Sequence, residues 1–305
     1  MQANDQATLL PAGPCLLIID GHAYAYRAFH AIAQLNAPDG APTNAIFGFI
    51  KALGKLREII RPAYLVVVWD GGLAEERLAA LPDYKAQRPP MPDKLRVQFD
   101  GINAWLNASD VTWLQQEGVE ADDWIATLGR WAVGQGIKVV IASSDKDFMQ
   151  LVSPKVGLVN PADKSSSICR EEQVRNKTGV GPEQIVDWLS LMGDSVDNIP
   201  GVPGVGPKTA AELLGQFGSV DALYRRLEEV RSDRVRGALQ AVETEVRRNQ
   251  QLIRLRDDLP LQLQLEDLRP GAGDAARLRE LSGRWGFKSL LIPPCALEPG
   301  QGVLL

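Results

Sequence analysis

Three apolar segments of this chain are followed closely by aspartate. Asp20 closes LLIID, Asp70 closes VVVWD, and Asp145 and Asp147 follow IKVVIA in the sequence SSDKDF. Such β-branched segments are typical of strands buried in a parallel sheet, and ligands of open α/β sheets collect beyond the carboxyl ends of those strands. We therefore expect these side chains, which are distant in sequence, to lie close together.

Two further motifs add carboxylates. Glu120, Asp122 and Asp123 form EADD at the start of a predicted helix, where the helix dipole favours negative charge. Asp194 and Asp197, in GDSVDN, are three residues apart and would face the same way on a helical turn. Each acidic motif alone could be a turn or a helix cap, but one shared site explains all of them together.

Nine carboxylates in one poorly solvated pocket repel each other strongly, so such a site needs cations. Oxygen ligands without His or Cys suit Mg²⁺ or Mn²⁺ rather than zinc. Paired ions of this kind serve phosphodiester hydrolysis, because one activates water and the other stabilises the leaving oxygen. The acidic motifs therefore predict a metal-dependent hydrolase of phosphodiesters.

A glycine-rich segment, GVPGVGPKT, spans residues 201–209 and leads into a predicted helix. Glycine lets backbone N–H groups approach a phosphate, and the helix N-terminus adds positive potential. The arrangement resembles a helix-hairpin-helix clamp on the DNA backbone, with a tight turn between helices as the alternative. Its candidate contacts are Gly201, Gly204, Gly206, Lys208 and Thr209.

A second basic motif, YKAQR, covers residues 84–88. The ring of Tyr84, beside Lys85 and Arg88, could stack on a base while the cations hold the adjacent phosphate. Lys85 and Arg88 would share one face of a helix, and Arg77 would lie two turns earlier on that face. An ordinary solvated helix face is the alternative interpretation.

Histidine and cysteine supply no predicted ligands. His22 and His30 flank the helix start HAYAYRAFH and are interpreted as packing or surface residues, whereas Arg27 between them is a further candidate DNA contact. The three cysteines, an odd number without metal-ligand spacing, are expected to be reduced thiols of a cytosolic protein.

The order of predicted elements indicates an α/β fold with a central parallel sheet and flanking helices. Apolar runs of strand length alternate with helical patterns, and the chain becomes helical beyond about residue 171. The segment 77–108 has no strand signal and is expected to stand off the sheet as an insertion. We expect an α/β core at 1–174, a helical subdomain at 175–290 that returns to the core, and a tail at 291–305.

The charge distribution narrows the possible functions. A net charge of −5 argues against a protein that coats nucleic acid indiscriminately, although residues 84–96 carry +3 and residues 225–256 carry +4. No apolar run approaches the length of a membrane span, and the N-terminus lacks the pattern of a secretory signal. We therefore expect no membrane partner.

Together, the motifs resemble the 5′-nuclease domain of bacterial DNA polymerase I, within the flap endonuclease family. The resemblance runs from about Leu16 to Leu291 and includes, in the family's order, LIIDGHAYAYRAFHA, YKAQRPPMP, VEADD, SSDKDF, LMGDSVDNIPGVPGVGPKTA and WGFKSLL. It implies a PIN-like core, a helical arch at about 77–108 over the active site, and a helix-hairpin-helix subdomain that binds K⁺. The implied function is 5′-3′ exonuclease and 5′-flap endonuclease activity on DNA by two-metal catalysis.

The resemblance also implies a setting and a set of ligands. The protein would be a monomer of the bacterial cytosol or nucleoid, active in replication or repair beside a polymerase domain or a separate polymerase. All nine carboxylates would bind metal. Asp20, Asp70 and Asp122 would hold one ion, and Asp122, Asp145 and Asp147 would lie near the other.

Tyr84, Lys85 and Arg88 match the family's residues at the base of the arch, which engage the terminal nucleotide and the scissile phosphate. Arg77 matches the arginine after the second strand, but the GGLAEER around it departs from the family, which usually continues Ala-Lys and ends Thr-Phe-Arg. Gly72 replaces the lysine, and two glutamates add negative charge beside the expected DNA path. A PIN-like ribonuclease and a branched-DNA-binding module without turnover are the alternatives.

Overall fold

A six-stranded sheet forms the centre of the computed structural model, which describes residues 13–163 and 167–288. Its strands are β1 Cys15–Asp20, β2 Tyr64–Val68, β3 Thr112–Leu114, β4 Lys138–Ala142, β5 Val156–Val159 and β6 Ile168–Cys169. The order is β3-β2-β1-β4-β5-β6, and only the pair β5 and β6 is antiparallel. The predicted parallel sheet is confirmed. The edge strands β3 and β6 are not predicted, because three and two residues are too few for a recognisable apolar run.

Helices pack on both faces of this sheet in the first part of the chain. They are α1 Gly21–Ala31, α2 Asn44–Ile60, α3 Glu75–Ala80, α4 Asp93–Arg96, α5 Phe99–Ala108 and α6 Ala121–Gly134. Every residue of β1 is buried, and alternate side chains enter two separate cores: Leu16 and Ile18 face one, Leu17 and Ile19 the other. Burial on both faces explains why the strand segment has no polar alternation.

The segment 77–108 is packed into the molecule at both ends rather than standing off the sheet as expected. Arg77 is buried, and Leu95, Ile102 and Leu106 are fully buried, with α5 packed against α2. The helical spacing of these apolar residues forms a stripe that must be covered. Between α3 and α4, residues 81–92 form turns and irregular chain without a helix.

The second part of the chain is helical, as predicted. It contains α7 Glu171–Thr178, α8 Ile185–Met192, α9 Pro207–Phe217, α10 Val220–Arg225, α11 Asp233–Ala241, α12 Glu243–Ile253 and α13 Ala275–Trp285, with a small antiparallel pair, β7 Gly193–Asp194 and β8 Ile199–Pro200. The predicted helix over 235–255 is divided at Val242, where the sequence has no Gly or Pro. Helix α13 returns to pack against α5. No helix within the described ranges is long and apolar enough to cross a bilayer.

The glycine-rich segment begins at a close approach between two stretches of backbone. A Cβ on Gly201 would overlap the carbonyl of Met192 and lie 2.6 Å from the nitrogen of Gly193. Gly193 itself has φ +79°, a conformation that favours glycine. Gly201 is therefore required for packing between the end of α8 and the start of the glycine-rich segment.

We predict that Gly201→Ala lowers the free energy of unfolding by about 1–3 kcal/mol, because the added methyl group meets backbone that cannot move aside. Urea unfolding followed by circular dichroism measures this change. Gly206→Ala is the matched control, since a Cβ on Gly206 meets no heavy atom within 4 Å. Equal stability of the two variants would contradict the assignment.

Candidate active site

The carboxyl ends of β1, β2 and β4 bring acidic side chains into one region, as their spacing predicts. Asp20 is the last residue of β1 and also the N-cap of α1, where it accepts a hydrogen bond from the backbone of Ala23 at 3.0 Å. Its other oxygen accepts from Ser143 Oγ at 2.7 Å, just beyond β4. Ser143 Oγ in turn accepts from the backbone N–H of Asp145 at 3.1 Å. One hydroxyl thus connects the ends of two neighbouring strands.

Burial and mutual repulsion perturb these carboxylates. Burial raises the pKa of Asp20 to about 6, and the charges of Asp145 and Asp70 contribute to the rise. Desolvation likewise raises the pKa of Asp145, although the backbone N–H of Asp147, 2.9 Å from Asp145 Oδ1, favours the ionised form. These groups are held together by the fold despite their charge.

The start of α6 adds two more carboxylates to the same region. Asp70 Oδ2 lies 3.5 Å from the backbone nitrogen of Ala121, the first residue of α6. This contact joins the end of β2 to the start of α6. Desolvation raises the pKa of Asp122 well above its ordinary value, with Asp145 as the largest neighbouring charge that adds to it. Glu120 is fully buried; burial alone would raise its pKa, but Lys85 and Arg77 hold that pKa below its ordinary value.

A second acidic group lies where the core meets the helical part. Asp147, Asp194 and Asp197 each offer a carboxylate oxygen, and these oxygens lie within 4.8 Å of one another. Asp147 Oδ1 is buried without a hydrogen-bond partner among the described residues. The expected division placed Asp145 and Asp147 near the second ion with Asp122, whereas this arrangement brings Asp147 together with the two aspartates of GDSVDN.

The donor set fits divalent cations. The ligands are carboxylate oxygens alone, which are buried and repel one another, and Asp147 Oδ1 has no hydrogen-bond partner among the described residues. A bound divalent cation would compensate their charge, whereas a neutral ligand would not. The residues that could hold them are Asp20, Asp70, Glu120, Asp122, Asp145, Asp147, Asp194 and Asp197.

The basic motif at 84–88 contacts these carboxylates directly. Lys85 Nζ forms a short ion pair with Glu120 and lies 3.8 Å from Asp197. Arg88 Nη2 lies 2.6 Å from Asp197 Oδ1. The hydroxyl of Tyr84 lies 3.3 Å from Glu120 Oε2 and 3.3 Å from Asp197 Oδ2. Burial lowers the pKa of Lys85, but the charges of Asp122, Glu120 and Asp197 raise it more, so the pKa shows a net rise that keeps Lys85 charged.

The backbone of this motif differs from the expected helix. Helix α3 ends at Ala80, residues 82–87 are turns, and Lys85 has φ +55°. Pro82 explains the end of the helix, because the residue before proline is disfavoured in helical conformation. Lys85 and Arg88 therefore meet at Asp197 through a turn, and Arg77 does not share their face.

Two predicted site residues are placed elsewhere. Arg77, predicted to contact DNA, is 7% exposed, and its guanidinium pairs with Asp123, predicted to bind metal and 0% exposed. Both side chains are turned into the interior between α3, α6 and the end of α12. The pair is thus withdrawn from the surface, with Glu120 as a second carboxylate partner of Arg77 and Arg256 as a second basic partner of Asp123.

The candidate DNA contacts of the glycine-rich segment lie on an exposed edge, apart from Gly201, which packs against backbone. Gly204 and Lys208 are exposed, and Gly206 is the N-cap of α9, with Thr209 half-buried in its first turn. The guanidinium of Arg234 lies against Gly204, so a Cβ there would overlap it. Arg27 is also exposed, on α1.

Sequence reasoning missed three residues that hold the carboxylates. Ser143 connects Asp20 to Asp145, and Lys146 Nζ lies 3.0 Å from Asp194. Both lie within SSDKDF, Ser143 two residues before Asp145 and Lys146 between the two aspartates, so their nearness to the aspartates was a usable signal. His22 Nδ1 accepts a hydrogen bond from the backbone of Asp70 at 3.1 Å while its ring packs on Trp69, so the expected packing role is confirmed and extended to the Asp70 loop.

An acidic pocket at the edge of a mostly parallel sheet, with lysine and arginine facing it, defines the site of a metal-dependent enzyme acting on phosphate esters. Comparison with known proteins agrees. A model of the 5′-3′ exonuclease N-terminal resolvase-like domain matches residues 15–179, and one of the 5′-3′ exonuclease C-terminal SAM fold matches residues 180–276. The chain belongs to the 5′-3′ exonuclease family, which confirms the predicted family and nuclease class.

Two relatives illustrate the match. A 5′-3′ exonuclease of Aquifex aeolicus is 40% identical over 276 residues, which are 90% of this chain and 93% of that protein. DNA polymerase I of Pseudomonas aeruginosa is 40% identical over 283 residues. The match covers 90% of this chain and 31% of the polymerase, so the chain spans about a third of such relatives.

Solved structures share the fold at low sequence identity. T5 5′-exonuclease with bound zinc has a TM-score of 0.67 and 22% identity, over 92% of this chain and 99% of that one. The catalytic core of Rad2 in complex with DNA substrate has a TM-score of 0.62 and 17% identity, over 92% of each chain. These comparisons confirm the sheet core with flanking helices.

We predict that Ser143→Ala weakens Mn²⁺ binding by about tenfold, because Asp20 and Asp145 lose the hydroxyl that orients them. Isothermal titration with Mn²⁺ measures the change, and thermal unfolding verifies the fold. Ser153→Ala is the control, since Ser153 precedes β5 at the opposite edge of the parallel sheet. An unchanged Mn²⁺ affinity in Ser143→Ala would refute the orienting role.

Proposed function

We propose that this chain is a structure-specific 5′ nuclease that hydrolyses phosphodiester bonds in DNA at 5′ ends and 5′ flaps, using two or more Mg²⁺ or Mn²⁺ ions. The observation that carries the proposal is the contact of Lys85 with Glu120 inside the acidic pocket and of Arg88 with Asp197 at its more exposed side. Lys85 and Arg88, which would hold a phosphate, therefore lie beside carboxylates of the proposed metal site.

The proposed ligand groups follow the two acidic clusters. Asp20, Asp70 and Asp122 would hold one ion beyond the sheet, and Asp147, Asp194 and Asp197 the other, with Asp145 adjoining both groups through its charge. When bound, such ions supply an activated water and stabilise the leaving oxygen. Glu120 serves chiefly as the partner of Lys85 and Arg77.

The chain's own cations stabilise charge on the substrate. Arg88 has a side chain that is 43% exposed and can reach a phosphate oxygen, whereas the ammonium of Lys85 lies deeper, over the Tyr84 ring. The Tyr84 ring is buried at 3% exposure, so its proposed part is to hold Glu120 and Asp197 rather than to stack on a base. Lys85 and Arg88 are then the charges that meet the scissile phosphate as negative charge develops.

The duplex would be held away from this pocket by the helical part. Gly204, Gly206, Lys208 and Thr209 offer backbone N–H groups and a charge at the start of α9, where we also propose a K⁺ ion by resemblance to the family. Arg27 would contact the strand that approaches α1. We propose a monomer acting in the bacterial cytosol or nucleoid during replication or repair, with a polymerase domain or a separate polymerase as partner.

Asp145→Ala is expected to reduce Mg²⁺-dependent cleavage of a 5′-flap duplex by about a thousandfold, since a bound ion contributes several kcal/mol to the transition state. Binding of the flap, measured by fluorescence anisotropy in Ca²⁺, should remain. The exposed turn residue Asp39 provides the control, as Asp39→Ala removes equal charge far from the pocket. Full turnover by Asp145→Ala would reject the metal assignment, and faster cleavage of a matched RNA by the parent chain would favour a ribonuclease.

Lys85→Ala is expected to lower the single-turnover rate by about a hundredfold, with a smaller effect on flap affinity, because the ammonium acts on charge that develops in the transition state. Rapid-quench kinetics at saturating enzyme measure the rate. Lys94→Ala removes an exposed lysine of α4 and serves as the control. A single-turnover rate equal to that of the parent would exclude this role for Lys85.

A further inference from the structure

The guanidinium of Arg77 has no donor left for a ligand. Its Nε donates to the carbonyl of Leu252 at 3.2 Å, and Nη2 lies 3.5 Å from the carbonyl of Arg254. Nη1 and Nη2 contact the two oxygens of Asp123 at 3.0 and 2.7 Å, and Nη1 also lies 2.9 Å from Glu120 Oε1. A guanidinium has five N–H groups, and these five contacts account for all of them.

The carboxylate of Asp123 is saturated in the same way. Oδ1 accepts from Arg77 Nη2 and from the backbone nitrogen of Arg256 at 2.9 Å; Oδ2 accepts from Arg77 Nη1 and from Arg256 Nε at 3.2 Å. Each oxygen therefore has two donors, which is the capacity of a carboxylate. Asp122, one residue earlier, lies instead among Asp145, Asp20 and Glu120, with Lys85 as the neighbouring cation.

These contacts connect three parts of the chain. Arg77 lies on α3 and Asp123 on α6, whereas Leu252 lies in the last turn of α12 and Arg256 follows it. Arg77 thus caps the C-terminal end of α12, where carbonyls lack helical partners and positive charge is favoured. The end of α12 is fixed to the helix that carries Glu120 and Asp122.

Helix α12 also holds the other half of the acidic pocket. Asn249, fully buried, donates from Nδ2 to the carbonyl of Pro200 at 2.7 Å and to that of Ser190 at 3.3 Å. Those carbonyls flank the segment that carries Asp194 and Asp197. Helix α12 therefore connects two parts of the pocket. Its Asn249 contacts the segment that carries Asp194 and Asp197, and its C-terminal end is joined to Asp123 on α6.

We propose that Asp123 is a positioning residue and not a metal ligand: with Arg77 and Arg256 it forms a buried ion cluster that sets the distance between the carboxylates of the core and those of the helical part. Glu76 extends the cluster, since its carboxylate lies 3.4 Å from Arg256 Nη1. The acidic residue that departs from the family pattern thus complements an arginine of the cluster. The kinetic consequence rests on the proposed nuclease activity, whereas the effects on folding and metal binding do not.

The first experiment compares Asp123→Asn with Asp122→Asn. In EDTA, Asp123→Asn should lower Tm by about 5–10 °C, because an amide turns N–H groups toward the buried Arg77 and the half-buried Arg256. Asp122→Asn should leave Tm unchanged or raise it, since it removes repulsion among carboxylates. By titration calorimetry, the Kd for Mn²⁺ should stay within about threefold of the parent in Asp123→Asn and rise at least about tenfold in Asp122→Asn.

The second experiment separates positioning from mere stability. At saturating Mn²⁺ and well below Tm, Asp123→Asn should lower kcat on a 5′-flap duplex by about tenfold with KM for DNA within about threefold, because the two groups of ligands are misplaced. A Kd for Mn²⁺ raised as much as in Asp122→Asn, without a fall in Tm, would show that Asp123 is a ligand and overturn the proposal. A fall in Tm with kcat unchanged would show that the cluster only stabilises the fold, and this outcome would also overturn the proposal.

Arg256→Gln keeps the test decisive if Asp123→Asn does not fold. The Arg256 side chain is 34% exposed, and its removal leaves Arg77 and Asp123 paired. The expected result is a smaller fall in Tm, a lower kcat and unchanged Mn²⁺ affinity. Parent-like kcat in this variant would count against positioning. If the parent chain cleaves no nucleic acid, the proposed function fails while the unfolding and Mn²⁺ comparisons still decide the assignment of Asp123.

Discussion

Repulsion among buried carboxylates is the constraint around which this molecule is organised. Desolvation raises the pKa of Asp20, Asp122, Asp145 and Asp147, and in each case a neighbouring carboxylate adds to the rise. Without a rigid fold around them, these carboxylates would move apart or take up protons. The buried strand β1 and the Ser143 hydroxyl, which donates to Asp20 and accepts from the backbone N–H of Asp145, keep these groups from moving apart. The folding energy of the sheet holds the charges together.

Two sources of positive charge compensate the pocket. The chain provides the buried Lys85 beside Glu120, and the more exposed Arg88 and Lys146 beside Asp197 and Asp194. Under the proposed function, divalent ions would provide the rest. Arg88 contacts Asp197, so this aspartate would be shared between the arginine and a metal ion.

The sequence predicts those features of the fold and site that depend on the local pattern of residues. Apolar runs indicate the long strands, and aspartates placed after them predict the convergence of Asp20, Asp70 and Asp145, because parallel strands end at one edge. It does not predict partners chosen in three dimensions. EADD looks uniform in sequence, yet Asp122 faces the pocket and Asp123 faces Arg77, since adjacent helical residues point about 100° apart. The turn at 82–87 is a different case, because Pro82 is itself a local signal and it outweighs the helical spacing of Lys85 and Arg88.

In the GGLAEER segment, three of the residues that depart from the family pattern are exposed and the residue that matches it is buried. Gly72, Glu75 and Glu76 are exposed, whereas Arg77 is buried among five oxygen contacts. Lysine, with three donors and no planar fork, could not make those contacts, so the arginine is fixed by geometry while its exposed neighbours are free to differ. Glu76 is drawn to Arg256 rather than left beside a phosphate path. Its negative charge therefore acts first on the junction between α3 and the end of α12, and only through that junction on the acidic pocket.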